Sequence, residues 1–315
     1  MLVYVVRRLL WLPFLLVAVS FITFALGFYG PGDPVQVILG TKYNPESAER
    51  LRHQLGLDRP FLVQYADYLS RAVRGDLGES LSFRGQPVAS LVGRKVWVSA
   101  QLGLVAILIS VALGVPLGLL SAYKQGTWVD TAVVSFTLFF YSLPVFITAP
   151  VLIYLLAVKL HLLPVSGWGG LFSPHIVMPA LVLGLPGVAG LARLTRASAL
   201  EVLGQDYVRT ARAKGLPERT VQVRYVLRNA LTPVVTVLGL ALATLVEGAF
   251  ITETLFGIPG IGRLAVDAIF QRDYPVIMAL TLIVAVAFVL ANLLVDLLYA
   301  WLDPRIRQEG AVRRG

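Results

Sequence analysis

Six long apolar segments constrain this 315-residue chain more than any other feature of its sequence. They occupy residues 9–29, 97–123, 131–158, 176–191, 234–251 and 276–301. A helix needs about 20 mostly apolar residues to cross the ~30 Å hydrocarbon core of a bilayer, so we interpret each segment as one membrane span. Only 14% of the residues are charged, against about 25% in soluble domains. The sequence therefore predicts an all-α, polytopic membrane protein with six transmembrane helices.

Two of these segments depart from a simple span. The first is longer than the roughly 7–15 apolar residues of a signal peptide, so we expect a retained helix. The residues before it form an amphipathic stretch that we expect along the cytoplasmic surface. The fourth segment is short, and its Pro179 and Pro186 predict a kinked helix.

Basic residues predict the orientation of the chain. The loop at 192–233 carries eight lysines and arginines against three acidic residues, and Arg7 and Arg8 precede the first span. The positive-inside rule then places this loop and both termini in the cytoplasm of a bacterial or archaeal plasma (inner) membrane. The net charge of +9 is explained by contact with lipid headgroups. No nucleic-acid partner is expected, because the chain has no basic soluble domain.

This orientation divides the chain into four parts. Residues 1–29 form the amphipathic stretch and first span, 30–96 an extracytoplasmic segment, 97–301 the transmembrane core, and 302–315 a cytoplasmic tail. The extracytoplasmic segment is predicted to be helical, with a first helix capped by Asn44 and stopped by Gly56. A second helix is predicted over residues 60–73, closed by Gly75.

The basic loop is divided by Gly215 into two short helix-forming stretches. Gly215 ends the first, and Pro217 is suited to the first turn of the second. Small side chains at Ala211 and Ala213 would let the backbone of another protein approach closely. We therefore favour a docking surface over the alternative, an ordinary cytoplasmic loop in contact with water and headgroups.

The same loop carries a resemblance to a known family. Its Arg209-Thr210-Ala211, three residues and Gly215 resemble the loop motif of ABC importer permeases, Glu-Ala-Ala, three residues and Gly. Arg209 and Thr210 stand where the family has Glu and Ala. The variant here is similar to the subgroup that imports dipeptides, oligopeptides and nickel. Further matches follow in the same order along nearly the whole chain: Pro31-Gly32-Asp33-Pro34, Gly75-Asp76-Leu77-Gly78, Glu253-Thr254-Leu255-Phe256, Arg272-Asp273-Tyr274-Pro275 and Asp303-Pro304-Arg305.

The resemblance implies a type I ABC importer permease, the first of a heterodimeric pair. Its partners would be a second homologous permease, two ATP-binding subunits or a fused pair, and an extracytoplasmic solute-binding protein. Residues 205–222 would form the coupling helix seated on an ATPase subunit. Peptides are the expected substrate, with nickel, glutathione and oligosaccharides as alternatives. The residues expected at the ATPase contact are Asp206, Arg209, Ala211, Arg212, Ala213, Lys214, Gly215 and Leu216.

The chain itself shows no sign of an enzyme. It has no Gly-x4-Gly-Lys-Ser/Thr motif, so ATP and Mg²⁺ are expected on partner subunits and no cofactor on this chain. Cysteine is absent, and the three histidines lack metal-ligand spacing, so no metal site is expected. Glu247 and Asn292 lie in predicted spans and are candidates to line the translocation path or a gate. The alternatives are an ion-gradient secondary transporter, an intramembrane enzyme and a structural scaffold.

Overall fold

The computed structural model describes residues 2–29, 34–40, 43–54, 56–83, 85–244 and 249–302. These residues are almost entirely helical, and their only isolated β contact is an antiparallel bridge between Glu79 and Pro87. The helices in chain order are α1 (Leu2–Tyr29), α2 (Pro34–Leu39), α3 (Pro45–Gln54), α4 (Phe61–Val73), α5 (Val88–Tyr123), α6 (Trp128–Ser142), α7 (Val145–Leu152), α8 (Val177–Leu203), α9 (Asp206–Ala213), α10 (Glu218–Thr220), α11 (Arg228–Ala230), α12 (Thr232–Thr244), α13 (Phe250–Leu255), α14 (Ile261–Gln271) and α15 (Tyr274–Leu302). Two π-helices, Ile153–Lys159 and Val221–Leu227, extend α7 and α10.

Within the described residues, three helices are long and apolar enough to cross a membrane, namely Leu10–Tyr29, Val88–Tyr123 and Pro174–Leu203. The third predicted span is two helices, because α6 and Val145–Lys159 meet at an angle of 102°. Leu143 has an extended backbone at the break, with φ −82° and ψ 119°. The ring of Pro144 excludes the helical conformation from the residue before it, which accounts for the break.

The helix ends differ from the predicted segment edges. α5 begins at Val88 instead of residue 97, and α8 continues to Leu203, so the start of the predicted 192–233 loop is helical. α12 and α15 lie in the fifth and sixth predicted segments. The described part of α12 has 13 residues, and α15 contributes the shorter apolar stretch Tyr274–Leu290.

One compact unit is built from the described residues within 1–99, 249–250 and 259–293. In its core, the first turns of α5 pack against α14 and α15 through Val92, Leu264 and Val276, all fully buried. The buried carboxylate of Asp273 accepts hydrogen bonds from Ser80 Oγ and from the amides of Leu81 (3.2 Å) and Ser82 (3.1 Å). These bonds fix residues 80–82 to the corner between α14 and α15.

The helices of the 30–96 segment confirm the local sequence signals. α3 begins at Pro45, and the side-chain Oδ1 of Asn44 accepts a hydrogen bond from the amide of Glu46 at 3.2 Å. Gly56 and Gly75 follow α3 and α4 with φ of +67° and +82°. Such positive φ angles suit glycine and end a helix.

A second compact unit is built from the described residues within 100–244, 251–258 and 294–302. α5 and α8 approach closely here, since a Cβ atom at Gly118 would lie 2.5 Å from the carbonyl oxygen of Ala192. Gly114, one turn earlier, would meet the carbonyl of Val188 at 2.8 Å. Glycines four positions apart let two helix backbones touch, as in membrane helix pairs.

Candidate functional site

The candidate site is the elbow, residues 205–222, in the second unit. α9 begins with Asp206 in its first turn, where a carboxylate interacts favourably with the helix dipole. The helix ends as predicted at Gly215, which has φ +74°. The amides of Gly215 and Leu216 donate to the carbonyls of Arg212 (2.9 Å) and Ala211 (3.4 Å). This is a Schellman motif, so the direction of the chain after α9 is defined by hydrogen bonds.

The inner face of the elbow packs on the rest of the second unit. Val208 and Ala211 are buried against Ala199 of α8, Ala122 of α5 and Val226 of the following π-helix. Half-buried Leu216 packs against the same cluster, as the residue after the glycine of a Schellman motif commonly does. Movement of α9 is therefore coupled by direct packing to the ends of α5 and α8.

The outer face of the elbow is exposed and consists mainly of polar, charged and small residues, with the ring of Tyr207 also exposed. Among the predicted contact residues, its exposed members are Asp206, Arg209, Arg212, Ala213, Lys214 and Gly215. No protein atom lies within 4 Å of a Cβ atom built on Gly215, so the turn projects into open space. The face can accept a second protein closely at Ala213 and Gly215, and it can pair with acidic groups through its basic side chains.

An ion pair braces the turn of the elbow. Arg212 Nη2 lies 2.9 Å from Glu218 Oε1, and Nε lies 3.3 Å from Oε2, so α9 and α10 are joined by a bidentate contact. The hydrogen bonds from Arg212 lower the pKa of Glu218 and correspondingly raise the pKa of Arg212. Arg209 makes a longer contact, 3.5 Å, with Asp206.

Two of the predicted ATPase-contact residues, Ala211 and Leu216, are not exposed as the others are. Ala211 is 3% exposed because it lies on the inner face of α9, so its side chain is part of the internal packing and is not available to a partner. The prediction that Ala211 opens the surface to another backbone is therefore wrong. Leu216 is half-buried by the same cluster.

Of the two candidate path residues, the structure describes only Asn292. Glu247 lies outside the described residues. Asn292 is half-buried in α15, and its Nδ2 donates to the carbonyl of Phe288 at 2.8 Å within the same helix. Among the described residues, no group of three or more His, Asp and Glu side chains could hold a metal ion.

A polar network beside the elbow escaped the sequence analysis. Asp130, at the start of α6, accepts hydrogen bonds from Arg196 Nε (2.8 Å) and Nη2 (2.9 Å) in α8. Ser121 Oγ of α5 and the amide of Gly126 (3.1 Å) donate to the same carboxylate. The network ties the ends of three helices together. The sequence shows only an acidic residue, Asp130, near the start of a helix. Its partner Arg196 lies 66 positions away, so the pairing is not visible from neighbouring residues.

Comparison with known families gives matches along nearly all of the chain. Residues 114–308 match the family described as "Binding-protein-dependent transport system inner membrane component". Residues 1–92 match its companion, "Binding-prot-dependent transport system membrane comp, N-term". The elbow lies inside the first of these regions.

Several curated proteins are similar to the chain over their whole length. A "Probable peptide ABC transporter permease protein y4tP" of Sinorhizobium fredii is 40% identical, over 97% of this chain and 99% of that protein. The "Dipeptide transport system permease protein DppB" of Escherichia coli K12 is 40% identical, over 98% of this chain and 100% of its own. The "Glutathione transport system permease protein GsiC" of Escherichia coli O6:H1 is also 40% identical, over 98% and 99%.

Two solved structures share the fold at low sequence identity. A chain of the inward-facing "MetNI methionine ABC transporter" is 18% identical, with a TM-score of 0.53, over 68% of this chain and 96% of its own. A chain of an "amino acid ABC transporter with histidines" is 15% identical, with a TM-score of 0.52, over 66% and 92%. The helical arrangement is thus that of type I ABC importer permeases, as predicted.

Proposed function

We propose that this chain, which belongs to the family of binding-protein-dependent transport system inner membrane components, is one of the two permease subunits of a peptide importer driven by separate ATPase subunits. The observation that carries the proposal is the 40% identity, along the whole chain, to permeases named for peptides and dipeptides. The relative named for glutathione fits the same chemistry, since glutathione is itself a small peptide. Nickel and oligosaccharides are the remaining alternatives for this subgroup.

The assembly we propose has this chain beside a second homologous permease, with the solute path between them. Two ATP-binding subunits, or a fused pair, bind ATP and Mg²⁺ on the cytoplasmic side. A solute-binding protein delivers the peptide from outside. Both termini and the elbow face the cytoplasm, because residues 192–233, which include the elbow, carry eight basic against three acidic residues.

The elbow would transmit force as a rigid body. Its Schellman turn, its buried inner face and the Arg212–Glu218 pair hold α9 in one orientation against α5 and α8. The Asp130–Arg196 pair extends this connection to α6. When the ATPases close on ATP, displacement of a helix seated in their groove would move these spans together toward an outward-facing state. Hydrolysis would reset the inward-facing state.

Disulfide cross-linking tests the proposed contact between the elbow and an ATPase subunit. This chain has no native cysteine, so every disulfide that it forms involves the introduced residue. Ala213→Cys places a thiol on the exposed face of the elbow, and Ala211→Cys places one on its buried face. We expect oxidation to join the Ala213→Cys chain to an ATPase subunit carrying a single cysteine in its groove, and not the Ala211→Cys chain. Failure of every groove position to cross-link with Ala213→Cys, in a complex that co-purifies, would contradict the docking model.

A further inference from the structure

Helix α4 packs against the middle of the apolar part of α1. Tyr65 Oη donates to the carbonyl of Val17 at 3.0 Å and lies 2.9 Å from Ser20 Oγ. The ring of Tyr65 also packs edge-on against Phe21, with centroids 5.2 Å apart. Ser20 is 1% exposed and Tyr65 9%, so this contact is a packed interface.

The depth of Val17 and Ser20 follows from the aromatic residues that flank the apolar part of α1. Tryptophan and tyrosine favour the two membrane–water interfaces. Trp11 and Tyr29 are both exposed and 18 positions apart, which at 1.5 Å per residue is about 27 Å, close to the ~30 Å hydrocarbon thickness. Ser20 lies nine positions from each of them. The Tyr65 hydroxyl therefore lies near the bilayer midplane, where its bonds to Val17 and Ser20 meet the requirement for internal partners.

The other faces of α4 differ from each other in polarity. Leu62, Ala66, Leu69 and Val73 follow helical spacing along one side, and Leu62 and Val73 are 67% and 81% exposed. Asp67 and Arg71, also exposed, lie on the opposite flank. Asp67 forms an ion pair with Arg59 at 3.0 Å.

We propose that α4 is a re-entrant helix embedded in the outer half of the membrane, and that its Asp67–Arg71 flank borders the water-filled route of the solute. Asp67 and Arg71 follow Tyr65 by two and six positions, which is at most about 9 Å along the helix axis. Charged side chains within the hydrocarbon are costly and need water or a charged partner. The apolar stripe then faces lipid. Carboxylate and guanidinium groups along the route suit a solute with ionised amino and carboxyl ends, such as a short peptide. The nature of the solute rests on the proposed function, whereas the depth of α4 does not.

Thiol accessibility in the assembled complex, reconstituted in liposomes, tests the inference. Single cysteines replace Leu62 on the apolar stripe, Arg71 on the polar flank and Glu49 on exposed α3 as the control. The probe is a charged, membrane-impermeant methanethiosulfonate. We expect Arg71→Cys to react at a rate comparable to Glu49→Cys, and Leu62→Cys at least about tenfold more slowly, because lipid excludes a charged reagent.

A bimane fluorophore on Leu62→Cys then measures depth with lipids brominated at different chain positions. Strongest quenching by bromines deep in the acyl chains is the expected result. Equal reaction of all three cysteines, or quenching only by bromines near the headgroup, would place α4 outside the membrane and overturn the inference. A shielded Arg71→Cys would overturn the assignment of water to the polar flank. If peptide protects Arg71→Cys from the reagent, the solute route is supported. If α4 is embedded but only another solute protects, the peptide assignment fails and the depth stands.

Discussion

Replacing Gly215 with tryptophan separates the docking role of the elbow from its fold. Gly215 has φ +74°, so any side chain there carries the cost of a left-handed backbone, roughly 1–2 kcal/mol. Apart from the two neighbouring residues, no atom lies within 4 Å of the new Cβ, and Gly215 is exposed, so the side chain starts from open space on the outer face. The folded subunit should therefore persist, while a close-fitting partner groove would be blocked.

Gly126 provides a matched control in the loop between α5 and α6. It has the same φ of +74° and the same open space around a new Cβ, so Gly126→Trp carries the same backbone cost outside residues 205–222. The assay is solute-stimulated ATP hydrolysis by the reconstituted complex, with co-purification of the subunits measured alongside. We expect Gly215→Trp to lower stimulated hydrolysis by roughly tenfold, which corresponds to about 1.4 kcal/mol of lost interaction. Equal turnover of the two variants would refute docking through this turn.

Three further predictions concern stability, measured as the unfolding of the purified subunit. Gly118→Ala should lower the free energy of unfolding by about 1–3 kcal/mol, because the added methyl overlaps a carbonyl of α8. Gly190→Ala, whose added Cβ would lie in open space, should instead raise the free energy of unfolding by about 0.5–1 kcal/mol. Similar effects of the two substitutions would contradict the close packing of α5 on α8. Arg196→Ala should cost about 1–3 kcal/mol by removing the bidentate partner of Asp130, which keeps its bonds from Ser121 and Gly126. The double variant with Asp130→Ala should cost less than the sum of the singles. Glu218→Gln should lower the free energy of unfolding by less than about 1 kcal/mol near pH 7, since the Arg212–Glu218 pair is about half exposed. The substitution should have no effect once the pH has fallen below the lowered folded-state pKa of Glu218.

The sign of the Glu218 effect follows from the direction of its pKa shift. The folded-state pKa lies below the ordinary 4.5, so the pair stabilises the fold above that value and the contribution is lost as the pH falls through the folded pKa. A difference between Glu218→Gln and the parent that grows toward acid pH would contradict this assignment.

Local signals in the sequence predicted the start of α3 and the ends of α3, α4 and α9. Asn44, Gly56, Gly75 and Gly215 each act through the backbone of their own turn, so their effect can be inferred from adjacent residues. The family match confirms the membrane-permease interpretation that the motifs around the elbow suggested. The role of residues 205–222 as an ATPase contact stays a prediction.

Features that depend on distant contacts were not predictable in the same way. Arg196 was counted among the charges of a loop, but it belongs to α8, where it pairs with Asp130 of another helix. Ala211 was placed on the docking face. The neighbours that bury it, such as Val226, are brought to it by tertiary packing, which the sequence alone does not show. Residues 131–158 were interpreted as one span, whereas the structure shows a 102° break beside Pro144. The size of a break depends on what each half packs against.

Peptide uptake by the complete reconstituted complex tests the central claim most directly. The measurement is entry of a radiolabelled dipeptide into liposomes that contain both permeases and the ATPase subunits, with solute-binding protein outside and ATP inside. We predict that uptake requires ATP and the binding protein, and that it continues when ionophores collapse the ion gradients. Uptake by this chain without ATPase subunits, driven by an imposed proton or sodium gradient, would contradict the account and identify a secondary transporter.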